Sequence, residues 1–235
     1  MTTDKQPEAS STVRRRSVRS FVLRMGRATA AQQRALTELW PKYGIDFSGA
    51  PLDLDSLFGR SAPRMIEIGF GNGEALLEFA RANPEIDCIG IEVHRPGVGH
   101  LLLDAEAAGL TNLRVICHDA VEVLQQLTEG SIAFVHIFFP DPWPKKRHHK
   151  RRLIQPAFVE QLARAMNHGA LLRLATDWEH YAQHMREVID ASKDFVNCAG
   201  EQGFVARQEM RPLTRFERRG QRLGHAVWDL EYQRR

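Results

Sequence analysis

Past residue 60 the apolar positions of this 235-residue chain switch repeatedly between two spacings. Short continuous runs, "RMIEIGF" (64–70), "DCIGIEV" (87–93), "LRVICHD" (113–119), "IAFVHIFFP" (132–140) and "GALLRLAT" (169–176), predict buried strands. Between them, "GEALLEFARAN" (73–83), "GVGHLLLDAEAAG" (97–109), "AVEVLQQL" (120–127) and the stretches 153–168 and 178–191 place apolar residues on one helical face. Strand and helix alternating at this pitch predict an α/β fold, a mostly parallel sheet with helices on both faces. Thr29 is placed to cap an earlier helix over 30–40 that Pro41 would close, and Gly109 to stop the helix before it. Residues 41–62 are turn-rich, and "FVARQE" (204–209) and "HAVWDLEYQ" (225–233) read as late strands. Residues 1–20 are polar and show no periodicity, which predicts a basic, disordered tail before a single domain over 21–235.

In an open parallel sheet a ligand lies outside the carboxyl ends of the strands. The first end reads Glu67-Ile68-Gly69-Phe70-Gly71-Asn72-Gly73, where alternate glycines permit a tight turn and close approach of backbone to ligand. Glycines alone would equally suit a structural turn. A dinucleotide fingerprint needs a glycine where this chain has Glu74 (or Leu76, counted from Gly71), which argues against a nicotinamide dehydrogenase. The second strand ends at Glu92, placed to accept from both hydroxyls of a ribose. The third ends at Asp119-Ala120, where an acid can accept from an exocyclic adenine amine. Either acid alone would be ordinary surface chemistry. Together with the glycine loop they predict a site for an adenosine that bears no phosphate. S-adenosylmethionine fits that description, with Glu67 near its ammonium end.

The fourth strand runs into "FFPDPWPKKRHHKRR" (138–152). Pro140, Pro142 and Pro144 fix φ around Asp141, so the acid is held rather than mobile. Trp143 offers a face for a stacked base, or else a cover for the core edge. Charge sharpens this picture. The net charge is +3, yet residues 14–27 carry six arginines and residues 145–152 six Lys or Arg, neither stretch with an acid. Without those twelve charges the rest of the chain stands at −9. Such concentration points to a polyanionic partner, with solvated loops as the plainer alternative. His148 and His149 are adjacent and have no nearby Cys, so no metal is expected. Cys88, Cys117 and Cys198 are widely spaced, which suits reduced thiols in a cytoplasmic protein. No apolar run nears the roughly 20 residues of a membrane span. The N-terminus lacks the apolar core of a secretory signal, and Asp4 and Glu8 are unlike a transit peptide.

The segments "EIGFGNGE", "GIE", "HDA", "FPDPWPKKRHHKRR", "ATDWEHY" and "LTRFERRGQRLGH" resemble the tRNA (guanine-N7-)-methyltransferases, from about Arg19 to the C-terminus. The resemblance implies a Rossmann-like class I methyltransferase fold, with a seven-stranded sheet whose last strand is antiparallel. It implies S-adenosylmethionine as cofactor and transfer of its methyl group to N7 of a tRNA guanosine, in the variable loop at position 46. Glu67, Glu92, Asp119 and Asp141 would bind the cofactor, joined by Gly69, Gly71, Gly73 and Ala120. Asp141 would also be the catalytic residue. Lys145, Asp177, Thr214, Arg215, Phe216 and Glu217 would meet the substrate. Arg147, His148, His149, Lys150, Arg151 and Arg152 would form an RNA-interaction segment. The partner is tRNA, and the enzyme a monomer or homodimer. The chemistry agrees: guanine N7 is an acceptor without a proton, so no general base is needed. Positioning should then supply most of the rate, and a carboxylate near the base steadies the positive charge arriving there. For Asp177, a helix-cap role is the rival.

Overall fold

The computed structural model describes residues 19–21, 26–207 and 226–235. Its centre is a seven-stranded sheet in the order β3-β2-β1-β4-β5-β7-β6. The strands are β1 (Arg64–Ile68), β2 (Asp87–Ile91), β3 (Leu113–Ile116), β4 (Ile132–Phe138), β5 (Met166–Thr176), β6 (Phe195–Asn197) and β7 (Trp228–Arg234). β1 to β5 pair in parallel, whereas β7 runs antiparallel to both β5 and β6. The strand order reverses between β1 and β4, so the crevice beyond their carboxyl ends is where this fold class places ligands.

Helices α1 (Ala30–Glu38), α2 (Trp40–Tyr43), α3 (Leu54–Phe58), α4 (Glu74–Ala82), α5 (Arg95–Ala107), α6 (Ala120–Gln125), α7 (Pro156–Ala165) and α8 (Glu179–Asp190) complete the fold. Alternation along β1 divides the core. Met65 faces Leu36, Phe79, Val98 and Leu101 of α1, α4 and α5. Ile66 and Ile68 face Val123, Leu162, Tyr181 and Met185 of α6, α7 and α8. Removing water from both sheet faces is the main source of stability in such a structure.

Several boundaries differ from the periodicity. Thr29 does cap α1, in a reciprocal capping box with Gln32, but the helix ends at Glu38. Pro41 does not close it; proline is favoured in a first helical turn and occupies that place in α2. Gly109, at φ 63, follows α5 as expected. α7 starts at Pro156 rather than 153, and β5 follows it without a loop because Met166 already pairs with Ile132. The strand expected over 204–209 is absent over its described part. Val205 makes one bridge to Asp229, and β6 occupies the edge of β7 from Tyr232 to Arg234. Residues 1–18 of the expected tail, and 208–209 of that expected strand, lie outside the described residues.

A candidate cofactor cleft and nucleic-acid face

β1 ends where Gly69 turns to φ 73, and Gly71 and Gly73 follow at φ 61 and 85. The loop they form opens α4, whose N-terminus carries no side-chain cap. Gly71 N–H donates to Glu92 Oε2 at 2.9 Å. The other Glu92 oxygen accepts from the N–H groups of Val93 at 2.7 Å and His94 at 2.9 Å. Three backbone donors thus fix this carboxylate, and an ionised carboxylate has about four acceptor sites, leaving it able to accept again. The loop leans on α5 at one point: a Cβ on Gly97 would sit 2.0 Å from the Gly71 carbonyl oxygen. Gly97 therefore permits close contact between helix and loop. The signal available in the sequence was a glycine at the start of a helical pattern, just after Pro96.

The cleft has a volume of about 280 Å³ and is lined by the glycine loop, Glu67, Glu74, His94, Phe138 and Phe139, with no Lys or Arg among the described residues that line it. Glu67 lines it and is only 3% exposed. Its Oε2 has no hydrogen-bond partner among the described residues. Burial, and secondarily the charge of Glu92, pushes the Glu67 carboxyl up to about 8. His136 pairs with Glu67 across β1 and β4, and burial drives its imidazole down to about 3. Asp119 caps α6 by accepting from Val121 N–H at 3.0 Å, and partial burial raises its carboxyl. Ala120 begins that helix and is buried. Glu67 lines the cleft itself, whereas Glu92 and Asp119 follow the carboxyl ends of β2 and β3 on the same rim of the sheet, outside the lining of the cleft.

Beside the cleft, β4 runs into the Asp141 loop. Two non-glycine residues there take the left-handed conformation, Phe139 at φ 52 and Trp143 at φ 46. Such backbone costs on the order of 1 kcal/mol or more per residue and persists only where surroundings over-determine it. Phe139 N–H donates to Ala175 O at 2.8 Å. Trp143 Nε1 donates to Ser20 O at 3.0 Å, and the Arg151 guanidinium lies 4.0 Å from the Trp143 ring centre. That ring thus already carries a cation on one of its two faces. Asp141 itself is exposed at the tip.

The basic run does not act as one surface. Lys146–Arg151 forms a 3-10 helix, in which residues three apart fall in line. Arg147 and Lys150 share the outward row, and Lys145 is also exposed. His148 and Arg151 lie against Trp143. His149 turns toward His180, at 5.0 Å between ring centres. Arg152 continues that inward row and is 2% exposed, so it faces the protein interior instead of standing in the outward row with Arg147 and Lys150. Asp177 follows β5, but α8 is capped at Trp178 without a side-chain bond, so the helix-cap reading of Asp177 fails. Thr214, Arg215, Phe216 and Glu217 lie outside the described residues.

Among the described residues no group of three His, Cys, Asp or Glu is arranged for a metal, and no helix is long and apolar enough to cross a membrane. A family model described as "Putative methyltransferase" matches residues 61–230. Proteins named tRNA (guanine-N(7)-)-methyltransferase are similar along nearly all of the chain. The one from Xanthomonas campestris pv. campestris (strain 8004) is 58% identical over 221 residues, covering 94% of this chain and 85% of that protein. The one from Alcanivorax borkumensis is 53% identical over 233 residues, covering 99% and 97%. Among solved structures, the 16S rRNA methyltransferase KamB superposes with a TM-score of 0.55 at 16% identity, over 78% of this chain and 94% of that one. TrmN from Thermus thermophilus gives 0.52 at 15%, over 77% and 47%. At such identities the two structures speak to the fold alone.

Proposed function

The chain belongs to the tRNA (guanine-N(7)-)-methyltransferase family, and we propose that its switch-point cleft is where S-adenosylmethionine and a guanosine of tRNA meet. The reaction is methylation of guanine N7 in tRNA, and we place the target in the variable loop at position 46. We take residues 21–235 as one methyltransferase domain; of the basic segment 1–20 before it, Arg19 and Ser20 already lie against Arg151 and Trp143.

The observation that supports the reading is Glu67: among the described residues, a buried carboxyl with an unpartnered oxygen in a cleft that no Lys or Arg lines. An arrangement that leaves an acid unpaired suits a ligand bearing positive charge and no phosphate. S-adenosylmethionine, when bound, supplies an electrophilic methyl group on a sulfonium. Glu67 would hold the cationic end, Glu92 the ribose hydroxyls, and Asp119 with the Ala120 backbone the adenine edge. Gly69, Gly71 and Gly73 let the backbone approach without side-chain clash.

Because N7 carries no proton, this chain's task is alignment rather than proton removal. Asp141, on its rigid loop beside the cleft, is placed to accept from the N1 and N2 hydrogens of guanine, a pair adenine does not offer. The same carboxylate balances the positive charge that the purine gains on methylation. Lys145, Arg147 and Lys150 face outward for phosphates, while the family resemblance adds Asp177 and Thr214–Glu217 as substrate contacts. The test is tritiated-methyl transfer to unmodified tRNA with nucleosides resolved by chromatography. Label in 7-methylguanosine, lost when guanosine 46 is replaced, is expected. Label on adenine, cytosine or protein overturns the assignment.

A further inference from the structure

We propose that Arg152 is a positioning residue that holds the Asp141 loop in its working shape from the buried side. The inference rests on the reading of Asp141 as the residue that meets guanine. Arg152 Nε donates to the carbonyl of Pro142, one residue past Asp141, at 2.9 Å. Its second terminal nitrogen lies 3.1 Å from His180 Nδ1 at the start of α8. Its guanidinium stands 4.8 Å from the ring centre of Tyr181, which is fully buried and whose hydroxyl accepts from Ile154 N–H at 3.3 Å. One side chain therefore ties three pieces together: the loop after β4, the segment leading to α7, and the first turn of α8.

The loop needs such a tie. Phe139 and Trp143 bracket Pro140-Asp141-Pro142 in left-handed backbone, and a chain released from its contacts would leave that conformation. Phe139 is fixed to β5 through Ala175 O, and the Trp143 side chain is fixed to the backbone at Ser20. Between these two, the Pro142 carbonyl is held by Arg152. The third Arg152 nitrogen has no partner among the described residues, so the buried cation is not there at minimum cost. A surface run evolved only for phosphate contact would have no reason to bury its last member. The planar fork also matters: a lysine is a single point charge and cannot serve the Pro142 carbonyl and His180 in two fixed directions.

The experiment compares Arg152→Lys, Arg152→Ala and His180→Ala with the wild-type protein in single-turnover methyl transfer at saturating cofactor and tRNA. Equilibrium tRNA binding is measured over a range of salt, and backbone hydrogen exchange over 139–150. For Arg152→Lys the saturating rate should fall by roughly 10- to 100-fold, as expected for a small misplacement of the reacting groups. Its tRNA affinity and salt slope should stay at the wild-type values, and loop exchange should accelerate. Guanidinium ion added to Arg152→Ala should restore part of the rate. If Arg152→Lys does not fold, His180→Ala, whose side chain is exposed, should show the same split more weakly. A phosphate contact would give the reverse: an intact saturating rate, weaker tRNA binding and a shallower salt slope. That result, or unchanged rate and exchange in both variants, overturns the proposal. A wild-type protein that methylates no tRNA would instead refute the reading of the site.

Discussion

Cofactor binding should expel a proton from Glu67, and the structure sets the size of the effect. With the cleft empty the Glu67 carboxyl sits at about 8, because burial and the nearby Glu92 disfavour its anion. At pH 7 a group of that pKa is about nine-tenths protonated. A sulfonium and ammonium beside it reverse the preference, so at pH 7, where an α-amino group is already mostly protonated, binding releases about 0.8 proton. Affinity should then rise by a factor approaching about tenfold per pH unit below 7 and level off near pH 8. The sign for folding is opposite. The folded value lies above the ordinary 4.5, so its stabilising contribution is complete below about pH 4.5 and is lost as pH rises toward 8. At pH 7 the empty protein forfeits about 3 kcal/mol through this carboxyl, by the same linkage. His136, at about 3, stays neutral throughout and adds no protons of its own. Calorimetric titration with S-adenosylmethionine in phosphate and in Tris at one pH gives the proton count from the difference in apparent enthalpy. Glu67→Gln should bind more weakly, lose the proton release, and be more stable than wild type at pH 7. Tight binding to the wild type with no proton released would refute the argument, as would an unchanged count in Glu67→Gln.

Asp141→Ala should abolish turnover while thermal unfolding stays near wild type, since the side chain is exposed; near-normal turnover would mean the acid is misassigned. Neutralising Lys145, Arg147 and Lys150 together should weaken tRNA binding and flatten its salt dependence, by about one unit of slope for each phosphate no longer neutralised. An unchanged slope would remove them from the interface. Gly97→Ala should lower cofactor affinity while leaving tRNA binding intact, because its Cβ would press on the Gly71 carbonyl at 2.0 Å and displace the loop. Unaltered cofactor affinity in that variant would show that α5 does not hold the loop.

Most of the sheet was legible because aliphatic runs with short punctuated helices between them have few compact solutions. The predicted strands 64–70, 87–93, 113–119 and 132–140 all appear, each trimmed where a loop begins at Gly69, Glu92, Cys117 or Phe139. β6 escaped notice because three residues are too few to show a period, and it exists through pairing with β7. Segment 204–209 has strand-like composition but only Val205 finds a partner, at Asp229. Composition supplies a propensity; an available neighbour decides whether it is used.

For the site, the sequence alone determined which acids stand at which strand ends. Order along the chain places Glu67, Glu92, Asp119 and Asp141 at or just past the ends of β1, β2, β3 and β4, and a parallel sheet brings all those ends to one rim. Tertiary structure decided what each group experiences there. Glu67 is protonated because walls from several elements exclude water and Glu92 is near, neither of which sequence spacing encodes. Six consecutive basic or histidine residues became outward, loop-facing and inward rows because the chain took a 3-10 turn against Trp143 and His180. Charge is a local property of the residue, but solvent access and partners belong to the packed molecule, and that is why Arg152 could be read as positive and not as buried.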